Sequence, residues 1–414
     1  MNHEGGDAAN KPRMPTPGWQ ILALSLLLGL QPVSTDLYLP ALPLLRAELG
    51  AGMGGAQLTL SALMVCFGLG QLLLGPVSDR FGRRPVLLAG LSLYVIAALG
   101  AAAAQGMSVL VACRALQGLG LAASVVGARS MVRDWFDPTE GTKMMARGLG
   151  GLGVMAMLSP TLGGLLASAL GWRAALLATA VIGAGTLAVL ALRVPESLLH
   201  RDPQALQPRR MVANWASLLA HPTFRAYTLL TCLAYGTLYT FLASSSFVFI
   251  GVLGVDRMVY GLLVSGGSVL YLSGTVLCRR WLRRHNVAQT VKRGAVFSLI
   301  GAIGMGLAAF VLPASLPAIL IPHVFVMLGH GVLQPCSQAG SVGPFPRQAG
   351  AAAALSGFAV ALVAFGLGGW LGHSLDGTVR PMTATMMVLG LAAVLCSWTL
   401  VQSQERRARQ LQAA

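Results

Sequence analysis

The sequence predicts an all-α membrane protein with twelve transmembrane helices in two pseudo-symmetric six-helix halves. Two observations lead to this fold class. The 414 residues are 55% hydrophobic and only 10% charged, which is too little charge for a soluble protein of this size. The apolar residues are gathered in recurring runs that are long enough to cross a bilayer. Backbone polar groups in lipid must be paired within their own segment, so each run is expected to be a helix.

Twelve spans can be counted, and at ~1.5 Å per residue each can cross roughly 30 Å of hydrocarbon. The stretch 194–225, rich in Pro, Arg and Gln, separates six spans from the next six. We therefore predict an N-terminal bundle (19–193), a linker (194–225), a C-terminal bundle (226–402) and tails at 1–18 and 403–414. The predicted spans are 19–42, 56–77, 85–104, 108–130, 145–169, 172–193, 226–250, 258–278, 290–312, 315–338, 350–371 and 382–402.

The arrangement of positive charge predicts the orientation. The chain carries 29 Lys and Arg against 13 Asp and Glu, a net charge of +16. We place Arg114 within a span and four others (Arg46, Arg173, Arg257, Arg380) in every second loop; the rest fall in the opposite loops and the tails. This positive-inside pattern predicts that both termini lie in the cytoplasm. It also argues against nucleic acid as the partner of the excess charge.

Three stretches carry the most specific motifs. The loop after span two reads GPVSDRFGRRP (75–85), and the loop after span eight repeats its basic cluster without the acid. Span one contains STDLYLPALP (34–43), and span ten is followed by GPFPRQAG (343–350). The first loop resembles the signature loop of the major facilitator superfamily. The other two stretches are similar to hallmarks of its Bcr/CflA drug-resistance transporters.

This resemblance extends over residues 19–402. It implies the major facilitator fold and the export of small drugs, such as amphenicols, bicyclomycin or sulfonamides, in exchange for protons. Exporters or uniporters of an endogenous metabolite would have the same fold, and a membrane scaffold that has lost transport is a further alternative. An intramembrane enzyme lacks a candidate catalytic set, since the sequence has no phosphate-cradling loop, metal-ligand cluster or nucleophile with a base. We therefore expect no cofactor and no metal, and a monomer whose partners are lipid, protons and a small molecule.

Asp36 and Arg114 are the candidate proton-coupling residues. By our count Asp36 is the only carboxylate within hydrocarbon, where an ionised carboxylate costs ~2.5–3.5 kcal/mol on insertion scales. Arg114, in span four, lies at a similar depth, and the family pattern also has a functional arginine there. We predict that Asp36 alternates between binding a proton and interacting with substrate or Arg114. The alternatives are a static ion pair between the two helices and, for Arg114, a side chain that snorkels outward.

Polar residues at helical spacing mark spans one, four, seven and ten, which line the central cavity in the superfamily. On span one, Gln31, Thr35 and Tyr38 share one face, and Asp36 shares another with the prolines. Either of these two faces is a candidate for lining a cavity. Tyrosines and amides among apolar walls suit uncharged or weakly polar ligands, although hydrogen bonds between helices would explain the same residues. The candidate substrate-binding residues are Gln31, Thr35, Tyr38, Gln117, Tyr235, Tyr239, Ser246, His330, Gln334 and Gln338.

The 75–85 loop is a candidate gate. Gly75 and Gly82 allow close approach and a tight turn. Asp79 can cap a helix or pair with an arginine, and the arginines can bind acids of the next loop. Asp79→Asn is expected to weaken transport and leave ligand affinity largely intact. The candidate gating residues are Gly75, Asp79, Arg80, Gly82, Arg83 and Arg84.

Span five is a candidate antiporter helix. It contains GGLGVMAMLSPTLGG (150–164), in which small residues permit close packing and Pro160 permits a bend. Gly153, Pro160, Gly163 and Gly164 resemble the antiporter motif of the proton-driven branch. Here Ser159 stands where that motif often has a glycine.

Overall fold

The computed structural model describes residues 17–413, and the predicted fold class is confirmed. Every regular element in this range is helical, and twelve helices are long and apolar enough to cross a membrane. Most of the predicted N-terminal tail, residues 1–16, lies outside the described range. The helices are α1 (Pro17–Thr35), α2 (Leu42–Glu48), α3 (Met53–Phe81), α4 (Arg83–Ala102), α5 (Met107–Trp135), α6 (Pro138–Ala169), α7 (Trp172–Arg193), α8 (Pro208–Ala220), α9 (Pro222–Ser246), α10 (Arg257–Leu282), α11 (Val287–Phe310), α12 (Leu316–Val342), α13 (Ala349–Ser374), α14 (Arg380–Cys396) and α15 (Gln402–Ala413).

The helices form two halves, α1–α7 and α9–α14. The halves meet mainly through two helix pairs, because α3 packs along α13 and α6 packs along α10. Two short π-helical turns, Phe247–Val252 and Ser397–Val401, continue α9 and α14. Small residues let the paired helices approach closely: Gly368 of α13 faces Ser61 of α3, and Gly261 of α10 faces the backbone of Pro160.

Several helices continue beyond their predicted ends. α3 reaches Phe81, α5 reaches Trp135 and α6 begins at Pro138. The hydropathy pattern marks only the part of a helix that lies in hydrocarbon, whereas the polar turns beyond it keep the helical hydrogen bonds. The predicted 75–85 loop is therefore almost entirely helix, and Gly82 alone separates α3 from α4.

The predicted linker contains a helix that the sequence did not reveal. α8 buries Leu218 against Phe224 and Leu355 of the C-terminal half and leaves Arg209 and Val212 exposed. The helix is short and its apolar residues form one narrow stripe, which explains why a search for long apolar runs missed it. It lies at the same end of the bundle as the α3–α4 junction, and we call this end the basic face.

The two halves are in contact at the end away from the basic face, which we call the opposite face. There the Gln57 side-chain amide donates to the Ala243 carbonyl oxygen at 2.7 Å, joining α3 to α9. The turn at Leu39–Ala41 also packs against α9 and α10. Toward the basic face, Arg129 of α5 and Gln338 of α12 are exposed although each lies a turn or more inside its helix. This pattern indicates a vestibule between the halves that opens toward the basic face.

Candidate functional site

The candidate site is centred on a break in the first transmembrane segment. α1 ends at Thr35, Asp36 begins a short turn, and a 3-10 turn follows at Leu39–Ala41. Three prolines near the break explain it, because proline has no N–H to donate and clashes with the preceding helical turn. The Asp36 N–H makes the last α-helical hydrogen bond, to the Pro32 carbonyl oxygen at 2.7 Å. The carbonyl groups in the last turn of a helix have no N–H partner within that helix.

Arg114 caps this broken helix end. Its guanidinium donates to the Ser34 carbonyl oxygen at 2.7 Å, to Gln117 Oε1 at 2.7 Å and to the Thr59 carbonyl oxygen at 3.4 Å. The same group lies 4.6 Å from the centroid of the Tyr38 ring. A cation is favourable at the carbonyl end of a helix, where the partial charge is negative. Arg114 therefore fastens the end of α1 to α3 and α5.

The predicted contact between Arg114 and Asp36 is wrong for this structure. No carboxylate of the described residues forms an ion pair with Arg114, whose polar atoms are bonded to backbone and amide oxygens instead. The alternative of a snorkelling side chain is wrong as well, because Arg114 is 0% exposed. The end of α1 turns its free carbonyl, rather than the Asp36 side chain, toward α5.

Asp36 faces the C-terminal half instead. The carboxylate is half-buried and lies close enough to Tyr235 of α9 and Tyr260 of α10 to act on both phenols electrostatically. Its Oδ1 accepts a hydrogen bond from the Thr35 hydroxyl at 2.7 Å, and the same hydroxyl lies 3.1 Å from the Gln31 carbonyl oxygen. A carboxylate is thus placed where the two halves meet.

Two of the predicted substrate-binding residues belong to the interior of the N-terminal half. Tyr38 is fully buried and donates to Thr59 Oγ1 at 3.0 Å, and Gln117 is fully buried between Arg114 and Thr179. These two support Arg114 and do not line a space between the halves. The prediction failed because the break turns the residues after Thr35 away from their ideal helical positions.

Some of the other candidates are half-buried, and others are buried inside the helix bundles. Gln31 and Tyr235 are half-buried, and Tyr239 stacks on Tyr235 with ring centroids 6.4 Å apart. Gln334 is half-buried, and its Oε1 has no partner among the described residues. Thr35 is buried beside Asp36, and Ser246 is fully buried at the end of α9.

His330 points into the C-terminal half. It lines a cavity of about 20 Å³ together with Thr237 of α9, Ser298 of α11 and Met386 of α14. That volume is room for a single water molecule. The prediction that His330 contacts substrate between the halves is therefore wrong in this conformation, because its ring packs against helices of its own bundle.

At the basic face, the predicted gating residues form a network around Arg83. Arg83 forms an ion pair with Asp79 one turn earlier, and its Nε lies 3.0 Å from Asp134 Oδ2 of α5. Arg84 donates to the Ala191 carbonyl oxygen at 2.7 Å, and Arg80 stacks on Phe81. The predicted pairing of this arginine cluster with an acid of the next loop is thus present.

Gly82 and Gly75 have different environments. Gly82 has φ +110°, a conformation that side chains disfavour, and a Cβ there would lie 2.7 Å from the Glu196 carboxylate. Gly75 lies inside α3 with open space around it, so its predicted role in the turn is wrong. Glu196 itself was missed from the sequence: it accepts from the N–H groups of Arg83 at 3.0 Å and Arg84 at 3.1 Å. It thereby caps the start of α4.

The predicted antiporter helix α6 lies between α1 and α10. A Cβ on Gly163 would lie 2.0 Å from the Leu37 carbonyl oxygen, and a Cβ on Gly164 would lie 2.5 Å from the Arg257 carbonyl oxygen. Two consecutive glycines therefore bring the backbone of α6 against the Asp36 turn on one side and against the other half on the other. Pro160 faces Gly261 of α10, and Gly153 lies nearer the basic face beside Leu272.

Comparison with known proteins identifies the family. A model of the major facilitator superfamily matches residues 24–368, which is most of the chain. The chain is a member of the major facilitator superfamily. Its family is one of transporters rather than enzymes.

The relatives of this superfamily member include drug-resistance proteins. It is 28% identical to multidrug resistance protein D of Escherichia coli (strain K12), over 91% of this chain and 94% of that protein. It is 29% identical to a chloramphenicol resistance protein of Pseudomonas aeruginosa, over 90% of each chain. The predicted resemblance to the drug-resistance branch is thereby confirmed.

Solved structures of the superfamily have the same fold. A peptide transporter determined in complex with sulfate superposes with a TM-score of 0.77 at 14% identity, over 97% of this chain and 98% of that one. A D-xylose–proton symporter superposes with a TM-score of 0.73 at 16% identity, over 92% and 96%. At these identities the likeness concerns the fold alone.

A second arginine within a transmembrane helix, Arg129, was also missed from the sequence. Arg129 lies in α5, six residues before its end at Trp135, and its side chain is exposed. The count of charges within spans included Arg114 only, because Arg129 stands at the edge of the predicted span 108–130. An arginine just inside an apolar run, on the face opposite the lipid-facing leucines, was the available signal.

Proposed function

We propose that this member of the superfamily exports small drugs by proton antiport, with Asp36 as the proton-binding group and the basic face in the cytoplasm of a bacterial inner membrane. The observation that carries the proposal is the setting of Asp36: a half-buried carboxylate at a helix break, between the two halves, with no cation of residues 17–413 paired to it. The relatives named for resistance to chloramphenicol and to several drugs support the substrate class.

The geometry allows the Thr35 hydroxyl to exchange one hydrogen-bond acceptor for another when Asp36 binds a proton. A hydroxyl has one hydrogen to donate, so Thr35 can serve either the Asp36 carboxylate or the Gln31 carbonyl oxygen, both within hydrogen-bond reach. The ionised carboxylate attracts the hydroxyl hydrogen. Protonation removes that charge and frees the hydroxyl to return to Gln31. The charge between the halves and the hydrogen bonding of Thr35 at the end of α1 then change together.

Arg114 acts as a positioning residue in this scheme. It holds the Ser34 carbonyl and so fixes where α1 ends, which determines the position of the next two residues, Thr35 and Asp36. The glycines of α6 leave the same turn room to lie against α6 and, through Gly164, against the other half. Drug would enter the vestibule from the basic face and reach Tyr235, Tyr239 and Gln334.

The test is Asp36→Asn in proteoliposomes with an imposed pH gradient and chloramphenicol as the substrate. We expect proton-driven uptake to fall at least roughly tenfold, because the variant cannot release or bind a proton at this position. Binding of chloramphenicol to the purified protein should remain. Unchanged proton-driven transport by Asp36→Asn would contradict the proposal, and chloramphenicol transport without any pH change in the wild type would indicate a uniporter.

The matched control is Asp376→Asn. Asp376 is an exposed carboxylate between α13 and α14, where the hydroxyl and N–H of Thr378 hold the pKa of that carboxyl below its usual value. It therefore stays ionised throughout the neutral range. Transport by this variant should match the wild type at every pH tested.

A further inference from the structure

The vestibule at the basic face contains an arginine that the scheme above does not use. Arg129 is exposed, whereas Val125, Ala128 and Val132 around it are buried. It lies six residues before the end of α5, which corresponds to ~9 Å of helix. An exposed side chain at this depth faces either lipid or water between the halves.

The packing of α5 excludes lipid. The lipid-facing side of this helix carries Val109 and Leu116, which are 55% and 45% exposed, and at 100° per residue Arg129 lies far around the helix from Leu116. The side facing α4 is occupied by Gly120 and Gly127, each packed against that helix. Arg129 lies on the side of α5 that packs against α3 further along the helix, at Gly118 and Ala122, and because its side chain is exposed there we place it at the edge of the space between the halves.

No acid neutralises this guanidinium among the described residues. The nearby carboxylates already have partners: Asp79 pairs with Arg83, and Asp134 accepts from both Arg83 and the Ser197 hydroxyl. Arg133, one turn further along α5, lies 3.8 Å from Asp79. Arg129 has no such contact, so its positive charge is directed at whatever enters the vestibule.

On the C-terminal side of the vestibule, α12 offers amides rather than charges. On α12, Gln334 is half-buried with an unpartnered Oε1, and Gln338, one turn further toward the basic face, is exposed. Other sides of α12 are packed, with Gly329 against Ser298 and Gly331 against the α10 backbone. Amide groups and one guanidinium bind oxygen-rich or anionic groups and repel cations.

We infer that Arg129 makes this transporter selective for substrates that carry a negative charge, such as an ionised sulfonamide or a carboxylate, over cationic drugs. The inference rests on the proposed drug export and specifies its substrate class. The guanidinium raises the local concentration of anions in the vestibule and donates paired hydrogen bonds to their oxygens.

The test compares two probes that differ in one ionisable group: a sulfonamide that is ionised at pH 7.5 and its uncharged N-methylated analogue. Binding to the purified full chain in detergent is measured by equilibrium dialysis, and uptake is measured in proteoliposomes. Wild type should prefer the ionised sulfonamide. Arg129→Gln should lose roughly tenfold in affinity for the anion and little for the analogue, because a hydrogen-bonded charge contributes about that much. Arg129→Lys should keep most of the preference.

Arg280→Gln is the matched control, since Arg280 is an exposed arginine at the basic end of α10. Its probe preference should equal that of the wild type. Equal preference in wild type and Arg129→Gln, or tighter binding of the uncharged analogue by wild type, would overturn the inference while leaving drug export intact. Failure of wild type to bind or transport either probe, together with chloramphenicol, would instead count against the proposed function. Should Arg129→Gln not fold, binding of the two probes to wild type and Arg129→Lys is measured as a function of pH. Affinity for the sulfonamide should fall as the pH is lowered and the probe loses its charge, while affinity for the analogue stays constant. The same pH dependence for both probes would overturn the inference.

Discussion

At the scale of single residues, the structure separates the two intramembrane charges that the sequence suggested should pair. An arginine at the centre of a bilayer costs ~2.5–3.5 kcal/mol on insertion scales. Each hydrogen bond to a charged group returns ~1.5–3 kcal/mol, and Arg114 makes three, besides its contact with the Tyr38 ring. The Arg114 guanidinium therefore has its hydrogen-bond partners without a carboxylate, and Asp36 faces the other half.

Arg114→Lys should lower both the stability of the protein and its transport. Lysine keeps the charge but cannot reach Ser34, Thr59 and Gln117 together, because its ammonium is a single point on a flexible stem. We expect a loss of about 2 kcal/mol or more, from at least one lost bond to the charged group, seen as a lower melting temperature in detergent. Arg380→Lys, at an exposed position, is the control. A melting temperature equal to that of wild type would show that Arg114 does not hold the end of α1.

At the scale of elements, close approach of backbones determines how α6 sits between the halves. Gly163 and Gly164 contact α1 and α10 respectively, and the contacted atoms are backbone carbonyl groups that cannot move aside as a side chain would. The α3–α4 junction shows the same dependence, because a Cβ on Gly82 would displace the Glu196 carboxylate from the start of α4. Small residues at these points are therefore requirements of the fold.

Gly163→Ala and Gly150→Ala should have opposite effects. The methyl group at 163 would lie 2.0 Å from the Leu37 carbonyl oxygen and must push the Asp36 turn aside, whereas a methyl group at 150 would meet no described atom within 4 Å beyond its own turn of helix. We expect overpacking to lower the free energy of unfolding of the first variant by about 2 kcal/mol. We also expect this variant to lose most of its proton-driven transport. The second should be slightly more stable than wild type, because alanine favours helix over glycine by roughly 0.5–1 kcal/mol. Transport assays and thermal unfolding of both variants test this, and equal behaviour would contradict it.

At the scale of the whole molecule, the two halves pack along the pairs α3–α13 and α6–α10 and leave between them a vestibule that opens toward the basic face. Polar contacts between the halves include Gln57 to the Ala243 carbonyl and Thr161 to Ser265, each at 2.7 Å. Each such hydrogen bond contributes only ~0.5–1.5 kcal/mol net, so the proposed transport cycle would break only weak polar bonds there.

Joining the halves covalently at the opposite face should stop transport. Cysteines in place of Gln57 and Ala243, in a variant whose six native cysteines are replaced by serine, would lie close enough for a short bifunctional thiol reagent. We expect cross-linking to abolish uptake in proteoliposomes, because the opposite face could no longer open, and reduction of a cleavable linker to restore it. Each single-cysteine variant serves as the control. Full transport by the cross-linked protein would mean that the halves do not alternate at this face.

The sequence by itself determined the number of transmembrane helices, their division into two halves and the family, and it singled out the residues of the candidate site. These follow from long apolar runs and short motifs, which are local properties of the chain. Only the tertiary structure decided what Arg114 binds, which way Asp36 and His330 face, that Glu196 caps the start of α4, and that Arg129 is exposed. The reason is physical: the break after Thr35 changes the direction of the following side chains, and each polar partner comes from a distant helix whose packing no local pattern specifies.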